Sequence, residues 1–249
     1  MTRSPPLHVT GQDAPRRCGQ ACEVDSFLGV RAFADQLDSG GASQAEIVRG
    51  TLAAAHPERG LRWLDIGCGR GDLLRVIRDD WEPAELHGLD PLDWLAEDLR
   101  ADVEFHRLPA EQADDLPLVD RVLMVEVIEH LEAPWLTLRK AARRVAPGGW
   151  IVVSTPNLAT LRTRLELAVR GDLTSFRPDY QPHISPALPH VTRRILSEEG
   201  FSVRDPEYLG VDVISLSKGR VWPEPLRRRW PRLTSVSVVL AAQRPAIPT

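Results

Sequence analysis

The sequence predicts an α/β fold, a largely parallel sheet with helices on both faces. From Arg62 to Asn157, short apolar runs alternate with stretches of helical periodicity. Between the first run and the first of those helices stands RWLDIGCGRGDLL, residues 62–74, with Gly67, Gly69 and Gly71 at alternate positions. The 249 residues can bury one large core or two small ones, and no internal repeat or clear linker divides them. One domain, 25–249, behind a loose Pro- and Arg-rich leader, 1–24, is expected.

The elements follow in order. In residues 43–56, Ser43 and Glu46 form a capping-box pattern, and Ile47, Val48 and Leu52 share a helical face. RWLDIGC is a buried strand. In DLLRVIRDDW, Leu73, Val76, Ile77 and Trp81 line one face of a helix. ELHGLDP is a second strand ending at Asp90, and PLDWLAEDLRAD reads as a helix with Pro91 in its first turn. VEFHRL and DRVLMVEV are the third and fourth strands. WLTLRKAARRVAPGG is a helix stopped at Pro147 and the glycine pair, and WIVVSTPN is the fifth strand. Residues 158–190 then break the rhythm: Leu158, Leu161, Leu165 and Val169 keep helical spacing, and a Pro-rich half follows. This segment is expected to be an inserted cap. The helix VTRRILSEEG, the strand FSVRDPEYLG and the last strand TSVSVVLAAQ complete the chain.

The net charge of −4 gives no general attraction to nucleic acid, and no separate basic or aromatic-rich RNA module stands out. No apolar run is long enough to span a bilayer, and the first residues lack the apolar segment of a signal peptide. Cys18, Cys22 and Cys68 are too few and too unevenly placed for a disulfide framework, and free thiols fit a reducing cytoplasm.

The glycines have two readings, a plain strand-to-helix turn or a ligand cradle. A strand, a glycine turn and a helix gather backbone N–H groups at a helix N-terminus, and glycine lets a ligand approach because no Cβ intervenes. The spacing is G-x-G-x-G after Asp65, not the G-x-G-x-x-G of dinucleotide folds. Asp90, 21 residues beyond Gly69, either caps the next helix or accepts hydrogen bonds from ribose hydroxyls. In this strand order the pair of signals points to a nucleoside cradle.

LDIGCGRGDLL resembles the first motif of class I S-adenosylmethionine-dependent methyltransferases. Asp90, MVEVIEHLEAP, APGGWIVVSTPN and RRILSEEGF follow in that family's order, over about residues 43–243. The resemblance implies a Rossmann-like sheet of seven strands, the last antiparallel, with a cap inserted after the fifth. It implies that Asp65, Gly67, Cys68, Gly69 and Gly71 hold the methionine part of S-adenosylmethionine and that Asp90 and Pro91 border the ribose. Family members often carry an aspartate near the adenine. Here Pro109 stands in its place in HRLPAEQADDLPL, which leaves Ala110 and Glu111, or else Asp114, for that contact.

EVIEHLE places Glu126, Glu129 and His130 at the end of the fourth strand. Two carboxylates and an imidazole so close can bind a divalent cation or exchange protons. The stretch is similar to ubiquinone-biosynthesis O-methyltransferases and to small-RNA 2′-O-methyltransferases. That resemblance implies a divalent metal such as Mg²⁺ on Glu126, Glu129, His130 and His183. Without metal, Glu126 contacts the cofactor and Glu129 with His130 caps the following turn, or His130, with Glu129, does the acid–base work. His8, His56, His87, His106 and His190 are expected in surface or packing roles. The expected activity is O-methylation of a small-molecule, sugar or natural-product hydroxyl. The alternatives are an RNA 2′-O-methyltransferase and a non-catalytic S-adenosylmethionine-binding protein.

Overall fold

Residues 41–177, 183–212 and 221–246 are described in a computed structural model of the chain. The leader 1–24, with Cys18, Cys22 and His8, lies outside the described residues. In order come α1 (Gly41–Ala54), β1 (Arg62–Ile66), α2 (Asp72–Trp81), β2 (Glu85–Leu89), β3 (Glu104–His106), β4 (Val119–Val125), α3 (Pro134–Arg143), β5 (Val145–Pro156), α4 (Leu161–Arg170) and α5 (Pro189–Glu198). They are followed by β6 (Ser202–Val203), β7 (Glu207–Leu209), α6 (Glu224–Arg229), α7 (Pro231–Thr234) and β8 (Ser237–Gln243). The sheet order is β3-β2-β1-β4-β5-β8-β6, with β7 also on β8.

β1 to β5 pair in parallel, and β8 runs antiparallel to β5, as expected. Side chains alternate between the two sheet faces. Leu64, Ile66, Val122 and Met124 join one core with α3 and α5, whereas Trp63, Leu123 and Val152 join the other with α1 and α2. β1 and β4 are therefore apolar on both faces, the signature of a central parallel strand.

Four expectations need correction. The expected sixth strand is split: Val203 pairs with Ala242 and Glu207 with Val239, so β6–β7 carries one more residue than its partner. Pro206, which has no N–H to donate, sits in that bulge. The helix after Asp90 does not form; only a 3-10 turn, Glu97–Leu99, appears. The Asp90 carboxylate accepts the Leu92 N–H at 2.9 Å, an Asx turn that competes with helix. α3 ends at Arg143, and the APGG stretch belongs to β5, because Val145 pairs with Val119. α1 starts before Ser43, so Ser43 is not its N-cap. In addition, α4, capped by Thr160 Oγ1 and ended by Gly171 in the left-handed conformation, buries none of its leucine stripe.

Candidate active site

The glycine loop crosses the carboxyl ends of β1 and β2. Gly67, Gly69 and Gly71 all have positive φ, at 77°, 52° and 85°. A Cβ on Gly67 would collide with Val127 Cγ2, and one on Gly71 would collide with Leu99 Cδ1. A Cβ on Gly69 would meet nothing within 4 Å. Two glycines are thus dictated by packing, and the third faces open space at the mouth of the loop. The Leu89 carbonyl accepts Gly67 N–H at 2.7 Å and Cys68 N–H at 3.1 Å. Asp90 Oδ2 accepts Gly69 N–H at 3.0 Å. Gly71 closes the loop as the residue before α2, whose first-turn N–H groups have no intrahelical partners.

Asp65, Gly67, Cys68, Gly69, Gly71 and Asp90 are therefore gathered at one place. Cys68 contributes backbone; its thiol is buried against Gly88, and burial pushes its pKa far up. Burial, with the Asp90 and Asp72 charges behind it, lifts Asp65 to about 8. Burial also raises Asp90, against the backbone N–H bonds from Leu92 and Gly69 that lower it. A carboxylate has room for about four hydrogen bonds, so two accepted N–H groups leave Asp90 able to take ribose hydroxyls. Pro91 follows directly, its carbonyl 3.5 Å from Arg107 Nε. Ala110 is buried, the Glu111 carbonyl accepts from Lys140 Nζ at 2.7 Å, and Asp114 pairs with Lys140 at 3.1 Å. Asp114 is thereby engaged by α3.

The second half lies at the end of β4. Glu126 has φ 53°, a left-handed conformation rare for a side chain of this kind. Its N–H donates to the Ser154 carbonyl at 3.2 Å, and its Oε1 accepts the Ser154 and Ser237 hydroxyls, each at 2.7 Å. The following 3-10 turn, Ile128–His130, carries Glu129, which is fully buried, and His130. Burial, then the Glu126 charge, holds Glu129 well above the usual carboxylate range.

Segment 183–185 docks on this turn: Ile184 and Ser185 N–H both donate to the Glu129 carbonyl at 2.9 Å, and Ser185 Oγ donates to the Leu131 carbonyl at 2.6 Å. His183 thus lies edge-on to His130, ring centroids 4.8 Å apart, with Phe176 at 5.5 Å. Burial and His130 pull His183 down to about 4. Glu129, His130 and His183 offer ligand atoms all within 4.8 Å of one another. Glu126 is not one of that trio: its Oε1 accepts from Ser154 and Ser237, while its carboxyl lies in hydrogen-bond contact with that of Glu129.

Sequence reasoning missed Ser154 and Ser237, although a lone serine in each of two apolar strands was a signal. It also missed a cavity of about 410 Å³ lined by Leu158, Arg164, His190, Arg193, Tyr208 and Arg232 among others. None of the expected cofactor residues lines it.

Comparisons with known proteins agree with this geometry. A family described as a methyltransferase domain matches residues 42–205, well over half of the chain. The chain belongs to that family of methyltransferases. The ubiquinone biosynthesis O-methyltransferase of Rhizobium etli is 28% identical over 207 residues, 78% of this chain and 77% of that protein. The fold is similar to that of a SAM-dependent methyltransferase from Archaeoglobus fulgidus, with TM-score 0.56, 20% identity, and 79% and 91% of the two chains covered. It is also similar to the N-methyltransferase NodS of Bradyrhizobium japonicum in complex with S-adenosyl-L-homocysteine, with TM-score 0.53, 13% identity, and 80% and 85% covered. The chain is a methyltransferase that uses S-adenosylmethionine.

Gly69→Val should abolish S-adenosylmethionine binding in calorimetry, because the side chain enters the open mouth of the loop at a strained φ. Asp90→Ala should weaken it by about 1.5–3 kcal/mol, the range for hydrogen bonds to a charged group, and Asp90→Asn by less. Parent-like affinity in folded variants would contradict the assignment.

Asp65 makes a pH prediction. The folded chain keeps its proton up to about 8, whereas the unfolded chain releases it above ~3.9. Unfolding therefore releases a proton in that window, and stability falls as pH rises through it. Denaturation midpoints of Asp65→Asn should lack that decline. Curves parallel to the parent's would refute the buried, protonated carboxyl.

Proposed function

We propose that the acceptor is a hydroxyl of a small molecule and that His130 takes its proton, with Glu129 beside it. The observation that carries this reading is the assembly of Glu129, His130 and His183 at the carboxyl edge of the sheet, next to the glycine loop's end of β1 and β4. The acceptor oxygen attacks the methyl carbon. The carbon–sulfur bond breaks with its electron pair kept on sulfur, and the hydroxyl proton passes to a base. His130 keeps 26% of its side chain exposed, within reach of an acceptor, and its Nε2 lies 3.9 Å from Glu129 Oε1. His183, held neutral by burial, packs the imidazole in place. Holding the oxygen in line with the methyl group supplies a further part of the rate.

The same trio fits a divalent cation. Both Glu129 oxygens are shut off from solvent and have no well-formed hydrogen bond among the described residues. A buried carboxylate with two imidazoles is a donor set that neutralises itself on an ion. Such an ion, when bound, would polarise the acceptor oxygen and lower its pKa. The name of the Rhizobium etli relative supports O-methylation. The 158–190 segment, proposed as a cap on the domain, supplies Leu158, Arg164 and His190 to the cavity beyond β5. No helix among the described residues is long and apolar enough to cross a membrane, which accords with a cytoplasmic setting.

Labelled cofactor should be tested on phenolic, catecholic and sugar hydroxyls, with oligoribonucleotides alongside. Methylation of RNA alone would overturn the small-molecule reading. With an acceptor in hand, chelator should abolish turnover, an added divalent ion should restore it, and His183→Ala should raise the ion concentration required. Full activity in chelator would remove the ion and leave His130→Ala to lower kcat by about 10²–10⁴-fold, the range for a lost general base. An unimpaired His130→Ala would refute the base as well.

A further inference from the structure

His87 and His106, expected in surface or packing roles, meet at the edge of the sheet with their rings stacked. β2 and β3 pair in parallel with His87 opposite Glu104 and Leu89 opposite His106. In that register Glu85, His87, Glu104 and His106 share one face of two neighbouring strands. Each strand carries a Glu-x-His pair, in ELHGL and in EFH. His87 is buried, His106 is half-buried, and the two carboxylates reach toward solvent.

The atoms converge. His87 Nδ1 lies 3.2 Å from His106 Nε2 and 3.5 Å from Glu104 Oε2, and His106 Nε2 lies 3.8 Å from Glu104 Oε1. Glu85 Oε2 sits on the far side of the His87 ring, 3.3 Å from Nε2. A carboxylate at Nε2 keeps the proton there and leaves the Nδ1 lone pair aimed at His106 and Glu104. That is the arrangement in which an outer carboxylate orients a metal-ligating histidine. Four ligands at 2.0–2.1 Å around a tetrahedral ion stand about 3.3 Å from one another. The measured separations bracket that value.

We propose that His87 Nδ1, His106 Nε2 and the Glu104 carboxylate form a binding site for a divalent transition-metal ion of the Zn²⁺ type, oriented by Glu85 and open to solvent for a fourth ligand. Two imidazoles and one carboxylate suit Zn²⁺, Co²⁺ or Ni²⁺ better than Mg²⁺, which takes mainly oxygen ligands. In the absence of an ion, one imidazole nitrogen donates to the other, so binding requires only a change of tautomer at His106. The site is separate from the Glu129–His130–His183 trio and does not depend on the proposed acceptor chemistry. It clips the three-residue edge strand β3 to β2. The His106 carbonyl accepts the Asp90 N–H at 3.2 Å and the Leu108 N–H at 2.9 Å, so the clip would also steady the Asp90 side of the cofactor pocket.

The test uses the untagged full chain carrying His130→Ala, which disables the other trio, and titrates Co²⁺. One equivalent should produce the visible band of a tetrahedral Co²⁺ site, and Zn²⁺ should displace it and raise the thermal midpoint with concentration. Glu104→Gln and His106→Gln, both at the exposed edge and checked by circular dichroism, should each remove the band. Glu85→Gln should weaken binding by about 10–100-fold, the range for an outer-sphere partner. No tetrahedral band at one equivalent, or a band indifferent to Glu104→Gln and His106→Gln, would overturn the proposal.

Discussion

Three backbone N–H groups of one loop are tied to the end of the neighbouring strand. Leu89 takes those of Gly67 and Cys68 through its carbonyl, and Asp90 takes that of Gly69 through its carboxylate. β1 and β2 are parallel neighbours, so their carboxyl ends emerge side by side and the loop can reach across. The cradle depends on this lashing. Without it the three left-handed glycines would lose entropy on folding with no compensating contact. With it, Gly69 is held facing open space while Gly67 and Gly71 are sealed beneath Val127 and Leu99. Asp90 builds the loop through Gly69, and the proposed ribose contact would be a second role on the same carboxylate.

A concentration of buried acid is the second constraint. Asp65, Asp90, Glu126 and Glu129 all sit at the carboxyl edge, and burial raises every one of them. Ser154 and Ser237 relieve Glu126 by donating to its carboxylate, at the cost of a strained φ at Glu126. Glu129 is relieved less, by its own backbone N–H and the Thr155 hydroxyl, and burial and the Glu126 charge outweigh them. A cationic sulfonium ligand, a proton or a metal ion each answers the same electrostatic need.

The sheet was legible because β1, β4 and β8 are apolar enough to be read without neighbours, and their order follows from the alternation with helices. The glycine loop and Asp90 were legible because their chemistry is local. The helix expected after Asp90 failed for a reason invisible in periodicity: the Asp90 carboxylate captures the Leu92 N–H. The place of His183 came from family resemblance, since 53 residues separate it from His130 and only the docking of Ile184 and Ser185 on the Glu129 carbonyl joins them. Ser154, Ser237 and the His87–Glu104–His106 group escaped because they are created by strand register, which pairs residues far apart in the chain. α4 showed the opposite failure. Its leucine spacing is that of a packed helix, yet Leu165 and Leu167 are about half exposed and Val169 is 82% exposed.

We propose that one lashed loop, with Asp90, holds the cofactor. A crystal structure with S-adenosyl-L-homocysteine tests it most directly. Ribose hydroxyls should lie on the Asp90 carboxylate and the amino-acid end of the ligand over Gly67–Gly71, with the Asp90–Gly69 bond preserved. Ligand density in the arginine-lined cavity beyond β5, with the glycine loop empty, would contradict it.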